Sequence, residues 1–225
     1  MTDIKKISPV TYATPLIKAK IDVFKDMQVA LEFEGGDVEL VRKKTLGVTD
    51  VSCFTRFGIK GPQASDWLSS QGLQIPAEKN TWLEQNGCLV LRLGGSEFLL
   101  EDQHKTNVTE KLLAFNQATT LGAYKVLRTD AAFLLSGNQV QNMLSELCML
   151  DLRDSALGAN NLVMTQLAGI SATILRQQLN NEQVYRIWCD GTYGAYLWEM
   201  LLEIAVELGG GAVGLSNHYQ SLLRG

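Results

Sequence analysis

The sequence predicts an α+β fold made of two pseudo-symmetric, ferredoxin-like halves. The segment Phe57–Leu68 is repeated as Phe133–Leu144, with identical residues at the Phe, Gly and final Leu positions at one constant offset. In each copy, an apolar strand reaches a glycine and is followed by apolar residues at helical spacing. Strand and turn signals and a further amphipathic segment then follow each copy. The predicted order of elements is strand, helix, antiparallel strands and helix, and it occurs twice. This order is typical of an α+β protein.

The first 44 residues are predicted to be an N-terminal extension containing a hairpin. Its strands would cover 28–33 and 37–41, because both runs are apolar and flank Gly35-Gly36, a favoured tight turn. The first α+β half would then span 45–127 and begin with a strand over 51–59.

Later signals in the first half predict a helix and a meander. Pro62 stands where a first-turn proline is tolerated, so a helix is expected after Gly61. The dipeptides Asn86-Gly87 and Gly94-Gly95 predict two tight turns between three strands. A second helix is predicted over 108–115, with Asn107 as the N-cap and Glu110 as its capping-box partner.

The second half, 128–210, repeats this order. Strands are predicted over 162–167, 170–176 and 184–189, with turns at Ala168-Gly169 and Asn180-Asn181. The longest helix is predicted over about 192–208, and residues 211–225 are left as a C-terminal tail. We expect these parts to form a single compact unit.

Composition places the chain among ordinary globular proteins. It has 225 residues, 46% of them apolar and 20% charged, and a formal net charge of −4. The scarcity of clustered Lys and Arg residues argues against nucleic-acid binding, because phosphate recognition depends on such clusters. The N-terminus lacks a signal-peptide core, and glutamates interrupt the most apolar helix, so we expect a cytoplasmic protein that does not span a membrane.

The residues that commonly carry chemistry form no local catalytic or metal-binding pattern. The cysteines at positions 53, 88, 148 and 189 are far apart in the sequence, and the chain has only two histidines, His104 and His218. These spacings do not match those of common zinc or iron–sulfur sites. We therefore predict no catalytic, cofactor-binding or metal-binding residues in this chain. The stretch Gly209–Gly214 fits GxGxxG but follows a helix, so a helix C-cap and turn are favoured over a dinucleotide site.

Three charged residues remain as ligand candidates. Asp151 and Arg153, in the segment Cys148–Asp154, would lie on one side of a strand and could orient a substrate amine or a folate ring. A local ion pair is the favoured alternative for these two. Asp190 is the third candidate, as an acid that could hold a pterin or activate an amine.

The last predicted helix is apolar around most of its circumference. Trp198, Leu202 and Val206 extend the apolar stripe to a second side, and only Glu199, Glu203 and Glu207 interrupt it. We predict that these three apolar residues contact a partner chain. Burial of the whole helix within one chain remains an equal alternative.

Several motifs in order carry a family resemblance. Thr14-Pro15-Leu16, 46–52 and Phe57–Leu68 resemble the N-terminal part of the glycine-cleavage T-proteins, the folate-binding aminomethyltransferases. Within that superfamily, 92–100, 148–152, 165–169 and 196–203 are similar to the gamma subunit of heterotetrameric sarcosine oxidase. The fold that this resemblance implies is the folate-binding-domain-like fold of the aminomethyltransferases.

The resemblance also implies a function, which is that of a non-catalytic structural subunit in an oxidoreductase complex acting on CH-NH donors. Such a complex works in sarcosine catabolism and one-carbon metabolism: it oxidatively demethylates sarcosine to glycine and transfers the one-carbon unit to tetrahydrofolate. The implied partners are alpha, beta and delta subunits, which would carry FAD, FMN, NAD, tetrahydrofolate and zinc. Two alternatives stay open, namely a stand-alone tetrahydrofolate-binding or aminomethyltransferase-like protein and a homo-oligomeric interaction module.

Overall fold

The computed structural model describes residues 6–13, 19–103, 106–113, 121–153 and 155–220. The chain divides into two compact units, and each is interrupted in sequence. The six-stranded unit comprises residues 1–53, 130–159 and 165–225, and the five-stranded unit comprises 54–129 and 160–164. The predicted α+β class is confirmed, while the predicted boundaries at 44, 127 and 210 stay predictions.

Strands and helices of the described residues are numbered in chain order. The strands are β1 (Lys20–Phe24), β2 (Met27–Glu32), β3 (Gly47–Asp50), β4 (Arg56–Lys60), β5 (Thr81–Gln85), β6 (Cys88–Arg92), β7 (Glu97–Asp102), β8 (Tyr124–Val126), β9 (Ala131–Ser136), β10 (Leu162–Leu167), β11 (Ile170–Leu179), β12 (Glu182–Cys189) and β13 (Gly211–Ala212). The α-helices are α1 (Gly36–Leu46), α2 (Ala64–Ser70), α3 (Val108–Leu112), α4 (Val140–Leu147) and α5 (Gly194–Glu207).

The two main sheets have the same strand order. One sheet runs β5-β6-β7-β4-β8, and the other runs β10-β11-β12-β9-β3 with β13 as a sixth strand. The registers match as well: Lys60 of β4 faces Tyr124 of β8, and Ser136 of β9 faces Gly47 of β3. The sequence repeat is therefore a structural repeat that extends over five strands.

A strand is exchanged between the repeats. β3 precedes the first repeat along the chain, yet it pairs with β9 of the second. β8 precedes the second repeat, yet it pairs with β4 of the first. Each sheet is therefore completed by a strand that precedes the other copy of the repeat, which explains why neither unit is continuous in sequence.

The repeated glycine makes the turn from strand to helix in both units. Gly61 and Gly137 have φ angles of +119° and +106°, which a residue with a side chain rarely adopts. A Cβ on Gly61 would lie 2.3 Å from the carbonyl oxygen of Gly122, and one on Gly137 would lie 2.5 Å from the backbone of Thr45. Backbone conformation and close packing both require glycine here.

Each unit has its own apolar core. In the five-stranded unit, strand residues of β4, β6 and β7 pack against α2 and α3, and the cluster comprises Phe57, Ile59, Ala64, Leu68, Leu73, Cys88, Val90, Phe98, Leu100, Leu112 and Ala123. In the six-stranded unit, α5 buries Trp198 against Phe33 and Phe133, with ring centroids 6.3 and 6.1 Å apart. The spacing of buried residues along α5 is that of one helix face.

Three sequence-based element assignments are wrong. Residues 37–41 lie in α1 and not in a strand, and β2 pairs with β1 across Lys25-Asp26, whose φ angles are both positive. The strand predicted over 51–59 begins only at Arg56, the first residue of β4, because residues 51–55 form an irregular segment between β3 and β4. Gly35-Gly36 is therefore the start of a helix, where glycine is an accepted N-cap.

The N-cap hydrogen bond predicted from the Asn107 side chain at the start of α3 does not form. The buried carboxylate of Asp102 instead accepts hydrogen bonds from the amide and the hydroxyl of Thr109, at 3.1 and 2.5 Å. A carboxylate at this end also interacts favourably with the helix dipole. Residues 114 and 115, the predicted end of this helix, lie outside the described residues.

Candidate functional site

A groove beside α4 holds two of the predicted ligand residues. Its volume is about 430 Å³, and one wall is the loop after the helix, where Met149 is fully exposed and Leu150 half-exposed. The lining residues are Gln141, Asn142, Leu144, Ser145, Cys148, Met149, Leu150, Asp151, Leu152 and Arg153. The loop follows α4 directly, so the helix fixes the position of the groove wall.

Asp151 and Arg153 form an ion pair with each other in this loop. The Arg153 Nε and Nη2 groups donate to the two carboxylate oxygens of Asp151 at 2.9 and 2.7 Å, and the Arg153 amide donates at 3.0 Å. These bonds lower the pKa of Asp151 to about 2. The two residues were expected in a strand, but they lie in an irregular segment. Asp154, the last residue of the predicted motif, lies outside the described residues.

Asp190 is not among the residues that line this groove. It precedes the short 3-10 helix Gly191–Tyr193 and accepts hydrogen bonds from the amide and hydroxyl of Thr192, at 2.9 and 2.6 Å. These two bonds lower the pKa of the Asp190 carboxyl. The local role of this acid is therefore to cap the turn that leads into α5.

The predicted partner face of α5 is only partly at the surface. Trp198 is fully buried in the six-stranded unit, because it lies on the same helix face as Leu197 and Leu201. The prediction that Trp198 contacts a partner chain is therefore wrong. Of the other two residues predicted for this face, Leu202 is half-buried and Val206 is 66% exposed. Glutamates 199, 203 and 207 share the exposed side of the helix. The partner interface itself stays a prediction.

Burial shifts the pKa of one cysteine, Cys88, and of one histidine, His218. All four cysteines are free and buried, and burial, followed by the nearby charges of Asp102 and Glu101, raises the pKa of Cys88. Burial, followed by Lys43 and Arg186, lowers the pKa of His218 to about 3. His104 lies outside the described residues. No group of three or more His, Cys, Asp and Glu side chains that could hold a metal occurs in the part of the chain that the structure describes.

The glycines in the stretch 209–214 end α5 and allow the backbone to pack closely against neighbouring segments. Gly209 donates to Val206 and Gly210 donates to Ala205, which is the hydrogen-bond pattern of a Schellman motif at the end of α5. A Cβ on Gly210 would lie 2.0 Å from the carbonyl oxygen of Leu46, and one on Gly214 would lie 2.1 Å from that of Leu31. The predicted C-cap is confirmed, and these glycines contact backbone where a dinucleotide would need open space.

Sequence reasoning missed a buried carboxylate that holds the C-terminal segment. Glu39 of α1 is fully buried and accepts from the amides of Phe33 and Glu34 with one oxygen. Its other oxygen accepts from the amide of Gly214 and the side chain of Asn217, at 2.6 and 2.8 Å. Gly214 and Asn217 are more than 170 residues away in sequence, so no local signal indicates their contact with Glu39.

Comparison with protein families gives a match over nearly the whole chain. Residues 8–222 match the family model described as the GCVT N-terminal domain. The chain belongs to this family. A search of curated proteins found no match.

Solved structures agree on the fold of this GCVT-family chain. Glycine cleavage system aminomethyltransferase T from Bartonella henselae is similar with a TM-score of 0.70 and 19% identity, over 95% of this chain and 61% of that one. Heterotetrameric sarcosine oxidase from Corynebacterium sp. U-96 is similar with a TM-score of 0.62 and 20% identity, over 79% of this chain and 94% of the matched chain. The chain thus spans about three-fifths of the aminomethyltransferase and nearly all of the sarcosine oxidase chain.

The GCVT-family chain shows no α-helix, within its described ranges, that is long and apolar enough to cross a membrane. Its charged ligand candidates are engaged with neighbours in their own chain, as described for Asp151, Arg153 and Asp190.

Proposed function

We propose that this chain is a non-catalytic structural subunit, of the gamma type, in a sarcosine-oxidase-like complex. That complex would oxidatively demethylate sarcosine to glycine and transfer the one-carbon unit to tetrahydrofolate. The observation that carries the proposal is the structural match to a chain of a heterotetrameric sarcosine oxidase. That match covers 94% of the oxidase chain, with a TM-score of 0.62.

Under this proposal, the reacting groups belong to the partner chains. Alpha, beta and delta subunits would carry FAD, FMN, NAD, tetrahydrofolate and zinc, and the assembly would be cytoplasmic. This chain would contribute surface and rigidity. The local engagement of Asp151, Arg153 and Asp190 supports that division, because each side chain already has a structural role.

Co-expression tests the proposal. The tagged chain is produced with candidate flavoprotein, folate-binding and zinc-binding subunits, purified through its tag, and examined for subunit masses and for flavin absorbance. We expect flavin to co-purify in a fixed ratio, while the chain alone binds neither flavin nor sarcosine. Purification of the tagged chain free of flavoprotein, in the presence of expressed partners, contradicts the proposal.

A second candidate function is tetrahydrofolate binding by the chain alone. The similarity to an aminomethyltransferase over 95% of this chain favours it. Calorimetric titration of the isolated chain with tetrahydrofolate separates the two candidates. Saturable binding that Asp151→Asn or Asp190→Asn weakens would support the folate-binding function, and no heat of binding supports the structural subunit.

A further inference from the structure

Residues 211–220, which we call the strap, cover the outer edge of β3 in the six-stranded unit. The strap begins with β13, which pairs with β3 alone, and the amide of Val213 then donates to the carbonyl of Val48 at 2.9 Å. Beyond β13 it forms the 3-10 turn Leu215–Asn217, where the Ser216 hydroxyl donates to a carbonyl of β2 at 2.6 Å. The strap therefore has one strand neighbour, whereas β12 pairs along its length with both β11 and β9.

The strap buries a histidine whose ring makes no hydrogen bond through Nε2. His218 is 1% exposed, and its Nε2 atom has no partner among the described residues. Its backbone is held in place, because its carbonyl accepts from the Asn180 side chain at 2.8 Å and its amide donates to the carbonyl of Leu215 at 3.2 Å. Protonation of this ring would bury both a charge and an N–H group without an acceptor, which is costly.

Both neighbours of His218 in the strap bind a cation. The Asn217 carbonyl accepts from Nζ of Lys43 in α1 at 2.9 Å, and the Tyr219 hydroxyl accepts from Nη2 of Arg186 in β12 at 2.7 Å. Burial, followed by these two positive charges, lowers the pKa of His218. An imidazolium in the closed strap would therefore be a third positive charge beside two others.

The carboxylates that face the strap are already used by other groups. Glu39 of α1 accepts from the amide of Gly214 and from the side chain of Asn217, and Glu182 of β12 pairs with Lys43 at 2.7 Å. In the described part of the chain, neither carboxylate is hydrogen-bonded to Nε2 of the His218 ring. The closed strap thus offers the imidazolium no counter-charge at this atom, whereas water would solvate it once the strap has detached.

We propose that the strap is an acid-sensitive device: a proton from the solvent binds His218 in a detached form of the strap, and this form uncovers the outer edge of β3 while the rest of the sheet stays folded. Local opening of this kind is expected for a segment with one strand neighbour, because fewer contacts break than in unfolding of the whole sheet. The inference is independent of the proposed function, since every contact that it uses lies within this chain.

Hydrogen exchange on the full chain at pH 7 and pH 5 tests the inference, with rates corrected for the intrinsic effect of pH on exchange. The Val213 amide reports separation from β3 directly, and the amides of 217–219 report opening of the turn. We expect these amides to open at least about tenfold more often than those of 184–189 in β12 at both pH values. Their opening should also become about 25-fold more frequent at pH 5, because the detached His218 regains its ordinary pKa of 6.5 and the closed one does not.

Two variants show which group is responsible. His218→Gln should lose most of the increase between pH 7 and pH 5. Ser216→Ala is the matched control, because it removes the hydrogen bond to β2 and keeps the imidazole, so it should raise opening at both pH values and preserve the 25-fold ratio.

Three results would overturn the inference. If strap and β12 amides open equally often, only the whole unit unfolds and the strap is not a separate device. If strap opening in the wild-type chain does not change with pH, protonation does not control it. If His218→Gln keeps the full increase, other groups bind the proton. The first two results come from the wild-type chain, so they decide the matter even where His218→Gln does not fold.

Discussion

The two sheets share one strand order but fill equivalent positions differently. In the five-stranded unit, Arg56 and Glu101 face each other across β4 and β7 and form a buried ion pair with an N–O distance of 2.6 Å. The same register position in the six-stranded unit holds Ala132 and Trp188. A charged pair and an apolar pair therefore occupy the same place in one architecture. Backbone pairing and the turn glycine are common to both sheets, whereas this cross-strand pair is not.

The edges of the sheets differ for another reason. β3 is covered by β13, which the C-terminal segment supplies, and Glu39 holds that segment through Gly214. The described residues around β8 offer no such strand. The C-terminal segment thus covers the edge of β3, and the common strand order of the two sheets follows the repeat.

The largest expected effect concerns the buried ion pair of the five-stranded unit. Arg56→Met leaves the carboxylate of Glu101 buried without its cation and is expected to lower the free energy of unfolding by about 3–5 kcal/mol. The double variant Arg56→Met with Glu101→Leu should recover most of this loss, because its equivalent in the other sheet is already apolar. Urea unfolding measures both. Equal losses in the single and double variants would contradict the comparison.

The repeated glycine should be needed equally in both units. Gly61→Ala and Gly137→Ala each combine a positive φ with a backbone collision, so each is expected to cost about 3 kcal/mol in urea unfolding. Gly72→Ala is the control, since its φ is +81° but nothing lies within 4 Å of the added Cβ. Its expected cost is about 1–2 kcal/mol. A large effect at only one of the two repeat glycines would argue against their equivalence.

His218 should make stability depend on acidity through the six-stranded unit. Its pKa of about 3 lies below the ordinary value of 6.5, so the unfolded chain binds a proton that the folded chain does not. Stability is therefore lost as pH falls below about 6.5, by about 2 kcal/mol between pH 7 and pH 5. His218→Gln should show a correspondingly smaller loss in urea unfolding over this range. An unchanged pH dependence in the variant would show that other groups are responsible.

The smallest effects concern the two candidate acids. Asp190→Ala removes the cap before α5 and is expected to cost about 1 kcal/mol in thermal or urea unfolding. Asp151→Asn should change stability less, because its ion pair with Arg153 is exposed to solvent and screened. A larger loss at Asp151 than at Asp190 would mean that the loop after α4 has a structural role that its exposure conceals.

Local signals in the sequence predicted much of the fold. The turns at Asn86-Gly87, Ala168-Gly169 and Asn180-Asn181 are all observed, because positive φ angles favour a small set of residues. The repeat and α5 were also found, since their apolar spacing is strong. These features depend on residues that are close together in the chain.

Features that depend on distant residues could not be predicted in this way. The exchange of β3 and β8 changes no local pattern, so the sequence does not show with which repeat each strand pairs. Residues 51–55 looked like the start of β4 because they are mostly buried, although they form no strand. The sequence left the burial of Trp198 open because the helix is apolar on several sides. The packing of Trp198 against Phe33 and Phe133 shows that its side of the helix faces inward. The Asp151–Arg153 ion pair was foreseen as an alternative, since two residues at this spacing can meet within one loop.

Native mass spectrometry of the co-expressed and purified assembly tests the central claim most directly. The account predicts a flavin-containing complex in which this chain is present in fixed stoichiometry with its partner subunits. A chain that stays monomeric or forms only homodimers, in the presence of folded flavoprotein partners, would contradict it.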